Sequence, residues 1–369
     1  MRDPEVQHAR QKAERIFMAT IKDVARTAHV AISTVSHVIN GTKYVSEDVR
    51  QRVVSAIEEL HYSTNYAARS MKSKRSMQLG FVALDMCGLF FPYVLKEAAK
   101  IASFRGYSVT ISDSNCDFET EKKNITDLIM RQIDGIVFSS IVKKESMKEY
   151  ANYLHDQIQK SGKDIRLVSL ERDFSPYGID SICVDTYHGA CQAMQHLIDA
   201  GCRSIAHISA PVGTGDDRYN AYLDTLKKYR LPMNNRLILS GDLSHNSGYE
   251  KTLELLSHQL PFDGIFVAND QMAIGVMQAL LEHHFRIPED VKVLGFDDVF
   301  VCQMLNPPLS SVHVEKRRLG RSAMELLIDA IEQEPGDGNV RNVHCETLSC
   351  CLVPRKSTDS DYNSSLDRT

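Results

Sequence analysis

The chain has 369 residues, of which 43% are hydrophobic and 25% are charged, a balance typical of a globular protein with two or three domains. No apolar run approaches the ~20 residues that span a bilayer, and the charged N-terminus is not followed by the apolar segment of a secretory signal. The nine cysteines contain no CxxC pair, which indicates reduced thiols in a cytoplasm. These features exclude a membrane protein, a disulfide-stapled secreted domain and a zinc-finger array.

Charge is distributed unevenly along the sequence. Residues 1–76 contain 13 Lys and Arg against 8 Asp and Glu, whereas the rest of the chain contains 30 against 40. A basic N-terminal segment on an acidic body indicates a nucleic-acid-binding module attached to a globular core. A chance fluctuation in a charged arm gives the same counts, so charge alone leaves both interpretations open.

Three short helices are predicted between residues 18 and 63. Thr20 and Asp23 have the spacing of a capping box at the start of the first helix. The second helix runs from about Ile32 to Ile39 and ends at Asn40-Gly41. Each helix has one apolar face, and a small core of three helices is typical of DNA-reading domains. The faces contain Ile21, Val24, Ala25, Ala28, Val35, Val38, Ile39, Val49, Val53, Ile57 and Leu60.

Polar segments flank this predicted domain and end the chain. Residues 1–17 have no packing pattern and are expected to be disordered, and Met18 is an alternative start. Residues 64–76 are small, polar and basic, which predicts a linker with weak helical character. Residues 358–369 are expected to form a disordered tail.

From Leu79 onward, apolar strands and amphipathic helices alternate. The first series of strands is LGFVAL, YSVTIS, DGIVFSS and IRLVSL, and a second series starts near Ser181 with SICV. This alternation predicts parallel strands joined by crossover helices, in two doubly wound α/β subdomains. A ligand is expected at the carboxyl ends of the strands, in the cleft between the subdomains.

Specific motifs run through most of the chain. STVSHVIN (33–40) and NYAARSM (65–71) are followed by ANDQMAIG, IPEDVKVLGFDD, NPPLSSV and VPRKST. Together they closely resemble the lactose/galactose repressor (LacI–GalR) family over roughly residues 19–357. The resemblance implies an α/β protein with a helix-turn-helix headpiece at 18–63, a hinge helix and linker at 64–76, and a core at 77–357 that resembles periplasmic sugar-binding proteins. The core would divide into an N-subdomain (about 77–183 plus 312–340) and a C-subdomain (about 184–311 plus 341–357).

The resemblance implies a cytoplasmic DNA-binding transcriptional repressor of a catabolic or transport operon, without enzymatic activity. It would bind a pseudo-palindromic operator and be controlled by an allosteric effector. Tetramer-forming members of the family carry a tail of leucine heptads. The tail of this chain has one leucine and no heptad, so a homodimer is expected rather than a tetramer. Two other classes of protein fit the sequence less well: a transporter's solute-binding protein lacks such a headpiece, and a sugar- or nucleoside-modifying enzyme needs an acid–base or nucleophile set that this sequence does not show.

The second headpiece helix would enter the major groove. The resemblance puts Ile32, Ser33 and His37 at base edges, where Ile32 can contact only a thymine methyl and His37 can donate to guanine or accept from a cytosine amine. Phosphate-contacting or positioning roles are implied for Thr34, Ser36, Asn40 and Tyr44, and Thr20 is a further expected DNA contact. Taken singly, these serines and threonines are equally explained by capping or solvation.

Two positions in the headpiece depart from the family pattern. His29 stands at the glycine of the helix turn, where a left-handed backbone is expected, and Ala31 replaces the usual capping serine. Loss of that cap costs about 1 kcal/mol. We therefore expect a headpiece that is less stable without DNA but still folded.

The hinge residues Asn65, Arg69, Met71 and Lys72 are also implied to contact DNA. A pair of hinge helices would lie in the minor groove, with Met71 at the position of the family's leucine wedge. An eight-residue helix does not persist alone in water, so this folding would be coupled to DNA binding. The alternative is a disordered basic linker.

Six core residues match the family's ligand positions. Arg218 would clamp sugar hydroxyls or a carboxylate, Asn269 and Asp297 would bind hydroxyls, and Glu171 follows a strand where many members have aspartate. Phe91 lies near the cleft mouth, and Leu243 replaces an aromatic of several sugar-binding members. A structural role in turns is the alternative for Asn269 and Asp297, and a place in the core is the alternative for Phe91. The effector is expected to be a sugar or sugar derivative, with a nucleobase or nucleoside as the second choice. No cofactor, metal ligand or catalytic residue is assigned.

Overall fold

The computed structural model describes residues 19–40, 43–60, 75–211, 217–333 and 342–359, with only the backbone for Ile39 and Asn40. The chain divides into two compact units, residues 1–76 and 77–369. The expected N-terminal arm and the hinge residues 64–74 lie outside the described residues. Within the described residues, no helix has both the length and the apolar character to cross a membrane.

The first unit contains three helices, as the sequence predicts. They are α1 (Ile21–Thr27), α2 (Ile32–Asn40) and α3 (Glu47–Glu59). Their inward faces form one small apolar core, and the predicted positions Ile21, Val38 and Ile57 pack partly buried against it. The fully buried members are Val24, Ala25, Ala28, Val35, Val53 and Ala56.

The predicted capping pair is present at the start of α1. The Asp23 carboxylate accepts hydrogen bonds from the Thr20 backbone N–H at 3.0 Å and from the Thr20 hydroxyl at 2.7 Å. The hydroxyl bond is the main reason that the pKa of Asp23 lies below its usual value, and Arg26 adds to it. Thr20 thus fixes the first turn of the helix-turn-helix unit.

The turn between α1 and α2 has the left-handed backbone that the sequence predicts. His29 has φ of 52°, a conformation that glycine adopts without strain and histidine does not. The Ala31 carbonyl accepts from the N–H groups of Thr34 and Val35 at 2.9 and 3.2 Å. Ala31 therefore occupies the N-cap of α2 without a side-chain oxygen to cap the helix.

The second unit begins with a sheet of six strands. The strands are β1 (Gln78–Ala83), β2 (Ser108–Asp113), β3 (Gly135–Ser139), β4 (Arg166–Glu171), β5 (Asp180–Val184) and β11 (Cys345–Leu348), and the helices are α4 (Phe91–Phe104), α5 (Phe118–Met130), α6 (Met147–Ser161) and α11 (Lys316–Glu332). The strands all pair in parallel, in the order β11-β5-β4-β3-β1-β2. Helix α11 packs against α4 so closely that a Cβ at Gly320 would overlap the Val94 backbone carbonyl.

The second sheet of this unit has the order β12-β10-β9-β8-β6-β7, with β12 antiparallel to β10. Apolar side chains cover the strands on both faces, as parallel sheets require. The strands are β6 (Ile205–Ser209), β7 (Ile238–Ser240), β8 (Gly264–Val267), β9 (Lys292–Asp297), β10 (Ser310–His313) and β12 (Cys351–Val353), and the helices are α7 (Thr186–Asp199), α8 (Asp217–Lys228), α9 (His245–Ser257) and α10 (Asp270–Glu282).

The points where the chain passes between the two sheets correct the predicted subdomain boundaries. The SICV strand is β5, which pairs with β4 and so ends the first series of strands rather than opening the second, while the boundary expected near residue 183 lies within one residue of the end of β5. His313 still pairs with Asp297 in the second sheet, so the crossing follows β10 instead of lying at residue 312. Strand β11 pairs with β5, so the final return lies between Leu348 and Cys351 rather than at residue 341.

The predicted disordered tail begins too early at residue 358. Thr358 is buried, and its hydroxyl lies 2.7 Å from the Ser310 hydroxyl and 2.8 Å from Nε2 of His196. The neighbouring Ser357 hydroxyl donates to the Val293 carbonyl at 2.6 Å. These hydroxyl contacts anchor the chain to the second sheet through residue 358.

Candidate functional site

Strand ends from both sheets surround one cleft in the second unit. The cleft has a larger lobe of about 320 Å³ and a smaller lobe of about 110 Å³. The two lobes share Leu84, Glu171, Arg218, Leu243 and Asp297 in their walls. Phe91 and Asn269 also line the smaller lobe, so all six residues predicted from the sequence meet around it. Parallel strands that end at one edge of each sheet produce this convergence.

Three of these residues have a strained backbone. Glu171 has φ of 67°, Leu243 of 73° and Asp297 of 107°. Non-glycine residues in this region are held at a cost of about 1–3 kcal/mol each, and such strain clusters at functional sites. The Glu171 carboxylate also accepts a hydrogen bond from the Ser139 hydroxyl at 2.8 Å, which orients it at the end of β4.

Arg218 is fixed between two strand ends of the second sheet. Its guanidinium donates to the Ala268 carbonyl, just beyond β8, at 2.6 Å. The same group lies over the Phe296 ring, 5.2 Å from the ring centroid. The hydrogen bond to the carbonyl at one edge and the aromatic ring against one face together fix the orientation of the planar guanidinium in the cleft wall.

Asn269 has both a capping role and a place in the cleft. Its side-chain oxygen accepts from the Met272 N–H at 3.0 Å, which caps α10. Its Nδ2 donates to the Leu243 carbonyl at 3.0 Å. Asn269 thus has the structural role that the sequence left open for it. Its hydrogen bond also holds the backbone of the strained Leu243 in place.

Two interacting carboxyl groups lie in this region: Asp297 lines both lobes of the cleft, whereas Asp270 lines neither. Asp270 is fully buried and accepts hydrogen bonds from the Ser311 hydroxyl at 2.6 Å and the Val299 N–H at 2.8 Å. Burial raises the pKa of Asp270 to about 6. Desolvation, together with the charge of Asp270, raises the pKa of Asp297, while Arg218 and Lys316 oppose this rise.

Sequence reasoning missed several polar residues of the larger lobe. Lys144, Arg172, Asp173, Cys183 and Asp217 line it. The Arg172 guanidinium donates to the Ser140 carbonyl at 3.2 Å and to the Val142 carbonyl, and burial lowers its pKa. Arg172, Asp173 and Cys183 follow or lie near strand ends. Their positions in the sequence could therefore have predicted a place in the cleft, although no motif contains them.

A larger cavity of about 620 Å³ lies elsewhere in the second unit, where the chain passes from β10 into α11. Asp298 holds a guanidinium and an imidazole in its wall: its carboxylate is 2.6 Å from Arg355 and 2.9 Å from Nδ1 of His313. None of the predicted effector residues lines this cavity. The residues around it include Lys316, Arg317, Arg318 and Arg321.

The predicted base-contacting residues lie on one side of α2, where they are exposed or half-buried. Ile32 is 45% exposed although it is apolar, and Ser33 is exposed. Ser36 and His37 lie one turn further along and are half-buried, as is Thr34. Tyr44 is 95% exposed, and Thr20 is exposed at the start of α1. The side chains of Asn40, Asn65, Arg69, Met71 and Lys72 lie outside the described residues.

Comparison with known proteins agrees with both parts of the chain. Residues 20–65 match the model of bacterial regulatory proteins of the lacI family, and residues 194–358 match that of a periplasmic binding protein-like domain. The chain is 31% identical over 329 residues to the HTH-type transcriptional repressor PurR of Pectobacterium atrosepticum, covering 89% of this chain and 94% of that one. It is 32% identical over 320 residues to the ribose operon repressor of Escherichia coli K12, covering 86% and 94%.

Solved structures show the same likeness over most of the chain. The lac repressor dimer bound to operator and the anti-inducer ONPF aligns with a TM-score of 0.77 and 25% identity, covering 92% of this chain and 99% of that one. The complex of the transcriptional regulator CelR with cellobiose aligns with a TM-score of 0.65 and 27% identity over the same shares.

A helix-turn-helix unit joined to a two-sheet core with a polar cleft defines a DNA-binding transcriptional regulator with a small-molecule site. The chain belongs to the lacI family of bacterial regulatory proteins. It is a transcriptional repressor with a small-molecule effector, and its sheet architecture is that of the periplasmic-binding-like domain.

Proposed function

We propose that this chain represses a catabolic or transport operon from the cytoplasm, as a homodimer on a pseudo-palindromic operator. A small polyhydroxy effector in the cleft alters operator affinity. The observation that carries the proposal is the convergence of Phe91, Glu171, Arg218, Leu243, Asn269 and Asp297, from both sheets, on one cleft. Only binding equilibria are needed, and no step of catalysis.

The headpiece supplies the operator contacts in this proposal. Ile32, Ser33 and His37 read base edges from the exposed side of α2, where an apolar residue such as Ile32 has no packing partner in the small core. Thr20, Thr34, Ser36, Asn40 and Tyr44 contact or align the phosphates. A dimer presents two such helices, which explains why the operator has two-fold symmetry. The resolved lac repressor dimer on its operator supports this arrangement.

The lining of the cleft favours a sugar over a nucleobase. Carboxylates and guanidinium groups such as Glu171, Asp297, Arg172 and Arg218 form bidentate hydrogen bonds with neighbouring hydroxyls. Among the described residues, aromatic rings reach the cleft only from Phe90, Phe91 and Phe296, and Phe296 already packs against Arg218. Leu243 offers no ring for stacking a base.

The size of the cleft points the same way. About 320 Å³ in the larger lobe is at the lower end of the range of ligand pockets, which suits a monosaccharide or its derivative. The similarity to the ribose operon repressor supports this class, while the similarity to PurR keeps a nucleobase or nucleoside as the second choice.

Control of the operator follows from the position of the cleft. The effector contacts Glu171 of the first sheet, Asp297 of the second sheet and Arg218 of α8, so it stabilises one angle between the subdomains. In this proposal, that angle determines operator affinity. The coupling is reciprocal, so operator changes effector affinity by the same factor that effector changes operator affinity.

The test is selection of genomic fragments by the purified protein at moderate salt, repeated with pools of sugars and of nucleobases. We expect a two-fold-symmetric site whose affinity falls steeply with salt and responds to the sugar pool. A response to nucleobases alone would overturn the effector class. Failure to enrich any symmetric site under all three conditions would overturn the operator proposal.

A further inference from the structure

Three potential metal ligands meet at the wall of the larger lobe. They are Asp173, in the loop after β4, Cys183 on β5, and Cys345 on the neighbouring strand β11, and we call them the thiol cluster. One ligand atom from each lies within 4.8 Å of the other two. The two sulfurs are 3.7 Å apart. No sequence motif marks these residues, because three separated segments contribute them.

We propose that the thiol cluster binds a soft divalent cation, with Zn²⁺ as the closest fit. Two thiolates on a tetrahedral zinc, each with an S–Zn distance of about 2.3 Å, place their sulfurs about 3.8 Å apart. The observed 3.7 Å between Cys183 and Cys345 agrees with that separation. Thiolate ligands select zinc and similar metals over magnesium and calcium.

The carboxylate is held near the sulfurs by its own loop. Oδ1 of Asp173 accepts from the Ser175 backbone N–H at 2.8 Å and from the Ser175 hydroxyl at 2.5 Å. Cys345 is exposed, so a small movement of its side chain completes the coordination, whereas Cys183 is buried and fixed in the sheet. One adaptable ligand beside two ligands that the fold holds in place forms a site that a cation can assemble.

The chemistry of the three ligand atoms suits a cation. Two sulfurs and a carboxylate oxygen are anionic when deprotonated, and a bound cation stabilises all three together. Proton release from the two thiols accompanies cation binding.

The coordination has one position left for another ligand. Three protein ligands on a tetrahedral ion leave the fourth to water or a solute. Cys183 and Asp173 both line the larger lobe, so that position is accessible from the cleft. A disulfide between Cys183 and Cys345 is the competing outcome, and it requires the sulfurs to approach to about 2.05 Å.

The experiment uses the reduced, chelator-treated full chain and Co²⁺ as a spectroscopic substitute for Zn²⁺. We expect one Co²⁺ per chain, with a thiolate charge-transfer band and the intense visible bands of tetrahedral cobalt, all removed by added Zn²⁺. Cys345→Ser is the main variant, because Cys345 lies exposed on an edge strand and its replacement leaves the core intact. It should lower Co²⁺ affinity by about tenfold or more. Asp173→Asn should weaken binding while keeping the charge-transfer band.

Cys351→Ser is the matched control, because Cys351 is an equally exposed cysteine on the edge strand of the other sheet. It should leave the Co²⁺ titration unchanged. Equal cobalt spectra and affinities in Cys345→Ser and the control would overturn the proposal. Isolation of a Cys183–Cys345 disulfide from protein that binds no Co²⁺ when reduced would also overturn it, in favour of a redox pair.

Discussion

Nδ2 of Asn269 donates a hydrogen bond to the backbone carbonyl of Leu243 at 3.0 Å. This bond joins the N-cap of α10 to a residue with φ of 73° in the cleft wall. The amide therefore stabilises a helix end and a strained loop at once. We therefore propose that effector binding and local stability both depend on this side chain.

Replacement of Asn269 with alanine should lower both stability and effector affinity. The cap and the bond to Leu243 are lost together, which should destabilise the core by about 1–2 kcal/mol. Effector affinity should fall because Leu243 is no longer held in its strained conformation. The control is Asn234→Ala, which removes another asparagine cap remote from the cleft. Denaturant unfolding should show a loss in both variants, and ligand titration a loss only in Asn269→Ala.

Replacement of Arg218 with alanine should abolish the effector response while ligand-free operator binding persists. The guanidinium is fixed by the Ala268 carbonyl and the Phe296 ring. Its removal therefore takes away hydrogen-bond donors that are held in one orientation in the wall of both lobes. The measurement is operator affinity with and without effector. Arg203→Ala is the matched control, because Arg203 also donates to backbone carbonyls in this subdomain but lies away from the cleft. Unchanged effector affinity in Arg218→Ala would remove this residue from the site.

Strand order explains why the six residues selected by family resemblance meet around one cleft. Glu171 and Asp297 end apolar strands, Asn269 lies two residues beyond one, and parallel strands bring such positions to one edge of a sheet. Arg218 and Leu243 stand in a helix and a loop without a pattern of their own, so only the resemblance selected them. The thiol cluster was missed because β11 joins β5 over a long sequence separation.

The boundaries between the subdomains were harder to predict for a physical reason. β5 and β10 are short, contain polar residues and are buried like their neighbours in either sheet, so composition does not show which sheet each joins. The late strands β11 and β12 are short, and one pairs with each sheet. Thr358 was assigned to the tail because a buried hydroxyl network cannot be recognised from isolated serines and threonines.

The pair Asp270 and Asp297 predicts a pH dependence of core stability. Burial raises the folded-state pKa of Asp270 to about 6, above the unfolded value of 3.8, and the pKa of Asp297 is raised as well. Near pH 5 the unfolded state therefore binds fewer protons than the folded state, and stability falls as pH increases. For Asp270 the fall lies between about pH 4 and 6 and amounts to about 3 kcal/mol.

Asp270→Asn should flatten the stability profile in this window. Unfolding by denaturant at a series of pH values measures the slope. Asp290→Asn is the control, because Asp290 is held by Arg286 with a pKa lowered to about 2 and does not titrate between pH 4 and 6. Buried Glu121, with a pKa of about 7, contributes a fall of the same sign that should remain in both variants. An equal slope in Asp270→Asn and the control would contradict the assignment.

Single substitutions in the turn before α2 should raise the stability of the headpiece. His29 has φ of 52°, so His29→Gly relieves left-handed strain and should stabilise the headpiece by up to about 1 kcal/mol. Ala31→Ser should add about 1 kcal/mol by supplying the missing N-cap oxygen of α2.

Hydrogen exchange of the Val24 and Val35 amides in the full chain measures the local free energy of opening. Both substitutions should slow exchange, and Ala28→Gly, which introduces glycine where φ is already −78°, should accelerate it. Faster exchange in His29→Gly would show that the histidine side chain stabilises this turn by more than its backbone conformation costs.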